Sequence, residues 1–132
     1  MDKNQANWLR AAFVLSFLGS GIPYWLIPYH QVYLPSALMS PGLVLVVSAA
    51  LLSRAALVMP FWKTVRFMGI TLAVAVLARV IVEGLRDPSS HNLWPFEVAI
   101  ALILGFTCSL TGAILGSIIV KLRSHDQARE TR

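Results

Sequence analysis

Lysine and arginine are spread so unevenly along this chain that few folds can accommodate the pattern. Lys3 and Arg10 stand near the start, Lys63 and Arg66 in the middle, and Lys121, Arg123, Arg129 and Arg132 at the end. Segments 28–41 and 87–94 contain neither residue type. Long apolar runs separate these five segments. A chain threading a bilayer keeps its basic loops on the cytoplasmic side and leaves the alternate loops without them. The alternation predicts an all-α integral membrane four-helix bundle with both termini cytoplasmic (N-in/C-in).

Composition points the same way. Of 132 residues, 57% are hydrophobic and 13% charged, against roughly a quarter charged in a soluble domain. A water-soluble fold of this length could not enclose so much apolar surface. The net charge of +5 does not point to nucleic acid, because the positive residues sit at the ends of the apolar runs, where the insertion bias and anionic headgroups account for them. Cys108 is the one cysteine, so neither an internal disulfide nor a Cys-based metal site is expected.

The predicted spans are 8–27, 42–60, 66–86 and 95–120, forming a single transmembrane domain followed by a polar cytoplasmic tail, 121–132, that is frayed or only loosely helical. A cleaved signal peptide is the rival for the first run, with Gly19-Ser20-Gly21 as the small residues. Against it, apolar character resumes at Ile22 and extends the run to the roughly 20 residues a span needs. Pro28, Pro35 and Pro41 exclude a long helix in the first connector. Residues 61–66 read as a tight basic turn, and Asp87-Pro88 stops the third span. Trp8, Trp25, Trp62 and Trp94 each fall near a predicted boundary, and Tyr24, Tyr29 and Tyr33 cluster at the outer end of the first span, as interfacial aromatic belts do. Short connectors and the absence of a transit sequence suit a bacterial inner membrane.

Helices in lipid associate through small residues that let backbones approach. Gly105, Ser109, Gly112 and Gly116 follow one another at spacings of four, three and four, on one face of the fourth span. Ala12, Ser16 and Gly19 make a comparable face on the first. These two faces are expected to meet, or one of them to form a homo-oligomer. The hydroxyls of Thr107, Ser109, Thr111 and Ser117 are expected to bond back one turn.

Charges inside the spans carry the functional signal. Arg79, Glu83 and Arg86 lie on one helical stripe, which Asp87 extends. Arg79 sits roughly 10 Å inside the outer boundary at ~1.5 Å per residue, and a charge there costs on the order of 2.5–3.5 kcal/mol. It should face the bundle interior, paired with Glu83. This is either a polar pathway for an anionic group or a self-neutralised pair that fixes helix rotation, with Arg86 snorkelling outward. Arg54 either snorkels to the cytoplasmic face or turns inward to share Glu83 with Arg79.

His30, Asp87, His91 and Glu97 gather at the outer face. Their spacing makes no recognisable metal motif, so no metal or other cofactor is expected. Glu97, in the first turn after Pro95, suits exposed N–H groups and the helix dipole. No catalytic motif is present, and no enzyme activity is expected. The leading expectation is an accessory or interaction subunit of a membrane complex, its partners being the lipid bilayer and a membrane protein or further copies of itself. The alternative is a small oligomeric transporter or channel lined by Arg54, Arg79 and Glu83. A redox subunit holding haem or quinone near His30 and His91 comes third.

Overall fold

The computed structural model describes residues 3–87 and 93–130, and among them there are helices and turns but no strands. Five α-helices follow in order: α1, Lys3–Trp25; α2, Pro41–Ala55; α3, Phe61–Gly69; α4, Thr71–Arg86; and α5, Trp94–Glu130. α3 and α4 form one rod that loosens at Ile70, where the N–H reaches the Arg66 carbonyl only at 3.4 Å. The bundle therefore has four rods.

Proline sets the ends of the first two helices. A proline has no N–H and its ring clashes with the carbonyl four residues earlier. Pro28 thus excludes the Tyr24 carbonyl from the ladder, and α1 stops at Trp25. Pro60 does the same to Ala56, and α2 stops at Ala55, short of the predicted residue 60. Ser40 caps the start of α2 by accepting from the Gly42 N–H at 3.2 Å, with Pro41 pre-set for the first turn.

Three further boundaries correct the sequence reading. α1 begins at Lys3, ahead of residue 8. Residues 61–66 are not a turn but the opening of α3, which Pro60 enters with φ −55°. The tail is regular helix through Glu130, neither frayed nor loose. No proline or glycine follows Gly116, so nothing interrupts propagation.

The rods alternate in direction. Trp8 meets Ser53 while Gly19 meets Leu45, so α1 and α2 are antiparallel. Gly112 faces Val47 while Gly116 faces Leu51, so α2 and α5 are parallel. Gly105 faces Gly69 while Ser109 bonds to Val65, so α5 runs against α3. Both termini consequently lie at the same end as the α2–α3 loop, where Gln5 reaches the Leu57 carbonyl and Arg123 the Ala55 carbonyl. The ends of α1 and α4 and the start of α5 lie at the opposite end.

The small-residue faces pair differently from the expectation. Gly112 and Gly116 press against the backbone of α2 at Val47 and Leu51, and Gly105 against the Gly69 carbonyl. The small face of α1 packs instead on α2, with Ser20 against Gly42 and Gly19 against Leu45. The two faces expected to meet thus both use other partners, mainly α2, because α1 and α5 flank it. A Cβ at Gly112 or Gly116 would run into carbonyl oxygens, so glycine sets the close approach of α2 and α5.

Two rods are long and apolar enough to cross a membrane by length and composition: Phe61–Arg86, and Trp94–Arg129 within α5. α2 is a shorter apolar helix of 15 residues, about 22 Å at ~1.5 Å per residue.

Candidate functional site

The clearest concentration of buried charge lies at the end of the bundle away from the termini, centred on Arg79. Its α4 position faces the terminus of α1, and it is only 4% exposed. All three guanidinium nitrogens donate hydrogen bonds. Nε donates to Glu83 Oε1 at 2.9 Å, Nη1 to the Tyr24 carbonyl at 2.6 Å, and Nη2 to the Ile27 carbonyl at 2.6 Å. The Tyr24 ring lies beneath the guanidinium, 4.7 Å from centroid to Cζ. Its hydroxyl reaches Glu97 Oε2 at 3.4 Å. Arg79 thus links α1 to α4, and Tyr24 carries the link on to α5.

The cause is visible in the local sequence. Pro28 cannot donate to the Tyr24 carbonyl, leaving it only a 3.4 Å bond from the Ile27 N–H. Orphan carbonyls at a helix C-terminus carry partial negative charge and favour a cation. Arg79 supplies that cation and a planar fork that can serve several acceptors at once. Hydrogen bonds to a charged group contribute about 1.5–3 kcal/mol each, which offsets the cost of burying it.

Several candidates fall elsewhere. Arg86 is exposed, at the rim of a groove of about 280 Å³ lined also by Trp25, Ala78, Arg79, Val82 and Glu83. Asp87 is exposed, and its N–H closes α4 onto the Glu83 carbonyl at 2.8 Å. Glu97 occupies the first turn of α5, but it is buried at 7% exposure and turned toward Tyr24. It borders a second groove, of about 380 Å³, with Val32, Leu34, Leu93, Phe96 and Ile100. His30 is exposed beside Gln31, and His91 lies outside the described residues. Among the described residues, no three His, Cys, Asp or Glu side chains converge on a point that could hold a metal ion.

Arg54 does not join Arg79 on a shared carboxylate. It lies at the opposite end of the bundle, where Nε donates to Ser117 Oγ at 3.0 Å and Nη1 donates to the Met59 carbonyl. Two neighbouring carbonyls are served in the same way, Ala55 by Arg123 at 3.3 Å and Leu57 by Gln5 at 3.0 Å. Within this loop Val58 adopts φ 49°, a left-handed conformation that a β-branched residue takes only under strain.

Tyr24 and Trp25 were assigned by sequence to an interfacial belt, and both turn inward. Tyr24 is fully buried, and Trp25 donates from Nε1 to the Ala75 carbonyl at 2.9 Å. The missed signal is Pro28, whose absent N–H calls for a donor from another rod. Along α5, Thr107, Thr111 and Ser117 bond back to carbonyls four residues earlier. Ser109 departs from that expectation and crosses to the Val65 carbonyl at 3.0 Å, because the small neighbouring residues bring α3 within reach. Compared with known proteins, the chain matches no family model, no curated protein and no solved structure.

Proposed function

We propose that the chain is a small multi-pass integral membrane protein, non-enzymatic, that serves as an accessory subunit of a membrane complex. In this reading all four rods cross the bilayer, with both termini and the basic Lys63–Arg66 segment on the cytoplasmic side of a bacterial inner membrane. The observation that carries it is uncovered apolar surface. Only 28% of the most apolar stretch of α5 is buried, and Ile103, Ile114, Leu115 and Ile118 are all exposed. Apolar area of this extent calls for lipid or a partner helix to cover it. The rest of the surface agrees, with Val14, Leu15, Leu18 and Ile22 exposed on α1 and Val44, Leu45 and Leu52 on α2.

The Arg79 geometry supports a docking role over a conducting one. A guanidinium that lines an ion or substrate route must exchange partners as cargo passes. Here each nitrogen is held by the protein's own acceptors, and Arg54 engages other groups at the far end of the bundle. That arrangement favours a rigid scaffold. The connectors after α1 and α2 are short, leaving little extramembrane mass with which to capture soluble substrates.

Purification in a mild detergent tests this function. The expected result is that the chain fractionates with membranes, needs detergent for extraction, and co-purifies with one stoichiometric membrane partner whose deletion lowers the chain's own level. A pure homo-oligomer that carries flux in liposomes, with flux lost in Arg79→Ala, contradicts it and supports the transporter alternative.

A further inference from the structure

The outward face of α3 combines two cations with apolar side chains. Lys63, Arg66, Phe67 and Ile70 line a shallow groove of about 350 Å³. Their spacing of three, one and three puts them on one helical stripe. Lys63 and Arg66 are exposed, and among the described residues neither side chain takes part in a hydrogen bond or ion pair. No acidic residue lines the groove. The groove at the opposite end differs, because there Arg86 shares the rim with Glu83.

Charge and apolar surface are sorted along this stripe. The two cations occupy the opening turns of the rod, at the end of the bundle that holds the termini. Phe67 and Ile70 follow on the turns nearer its middle, Ile70 lying about 10 Å beyond Lys63 at ~1.5 Å per residue. The apolar half packs against neighbouring rods. The Phe67 ring rests on Phe13 at 5.3 Å, and behind it Gly69 is closed in by Phe106 and Gly105. Loosening of the helix at Ile70 leaves that side chain 38% exposed. Trp62, 65% exposed, stands beside the cations, a position that suits an amphipathic ring at headgroup depth.

We propose that this groove binds one anionic phospholipid, its phosphate held between Lys63 and Arg66 and the start of an acyl chain laid over Phe67 and Ile70. The inference rests on the membrane reading above and names a lipid partner for the basic end. A free phosphate would use only the cationic half of the groove. The apolar half continues the stripe in the direction an acyl chain takes, so the occupant is a lipid rather than an inorganic anion. Two basic side chains near an anionic surface, each contributing roughly 5.5-fold, give a preference of about 30-fold over a zwitterionic lipid.

The test is native mass spectrometry of the full chain, extracted from membranes in dodecyl maltoside and incubated with equal amounts of phosphatidylglycerol and phosphatidylcholine. Wild-type protein is expected to retain phosphatidylglycerol about 30-fold more often. Lys63→Ser/Arg66→Ser is expected to lose that preference, while Lys121→Ser/Arg129→Ser keeps it. The charge-conserving pair Lys63→Arg/Arg66→Lys also keeps it, which separates loss of the site from loss of the fold. Equal retention of the two lipids by wild type, or an unchanged preference in Lys63→Ser/Arg66→Ser, overturns the proposal while leaving the membrane reading intact. Displacement of the lipid by millimolar inorganic phosphate also overturns it, reassigning the cations to a free anion. Recovery of the chain from the soluble fraction without detergent overturns both.

Discussion

The two ends of the bundle solve the same problem in opposite ways. At each, a proline cuts a helix short and leaves carbonyl groups without their usual donors. At the end away from the termini, one residue does nearly all the work: Arg79 serves two carbonyls of α1, pairs with Glu83 and covers the Tyr24 ring. At the other end the work is distributed, with Arg54, Gln5 and Arg123 each serving one loop carbonyl from a different rod. The difference follows burial. Arg79 is 4% exposed and has a carboxylate, whereas Arg54 is half-buried beside the exposed Ala56 and Val58. Concentrating the task in one side chain makes the first end rigid and fragile, and sharing it makes the second tolerant.

That contrast fixes an order of mutational effects, read as unfolding free energy in detergent. Arg79→Ala should cost the most, about 3–5 kcal/mol, because it removes a buried guanidinium that bonds Glu83 and the Tyr24 and Ile27 carbonyls together. Adding Glu83→Gln to Arg79→Ala should recover part of that loss, by removing the negative charge that Arg79 offsets. A double variant no more stable than the single one would show that the Glu83 charge costs nothing once Arg79 is removed. Arg54→Ala should cost about 1.5–3 kcal/mol through its charged hydrogen bonds. A loss equal to that of Arg79→Ala would erase the distinction between the ends. Arg123→Ala and Gln5→Ala should each cost about 0.5–1.5 kcal/mol, and their effects should add if the loop is served by independent donors. Val58→Gly should act in the opposite direction, stabilising by about 1 kcal/mol as the left-handed strain at φ 49° is relieved.

The sequence showed Arg79 and Glu83 on one stripe because helical periodicity is a local property, and the structure brings them together at 2.9 Å. It also placed helices where apolar runs of sufficient length occur. It could not show that Arg79 reaches α1, since which rod faces which depends on the summed packing of all four. The same limit explains the small-residue faces. Gly112 and Gly116 announce a close contact, yet nothing local to them names α2 rather than α1. Tyr24 looked interfacial because its position near a span end matched a belt, while its burial depends on Leu38, Leu72 and Val76 closing around it. The end of α2 was legible in principle, since a proline at 60 acts on the carbonyl at 56 and not on its immediate neighbour.

The most direct test of the clamp is the stability of Arg79→Lys in detergent. Lysine keeps the positive charge but has one nitrogen in place of a planar fork, so it cannot serve Glu83, Tyr24 and Ile27 together. The account predicts a loss of roughly 2 kcal/mol, comparable to one or two charged hydrogen bonds. Wild-type stability in Arg79→Lys would contradict it, because charge alone, and not the forked link from α4 to the end of α1, would then be what this position requires.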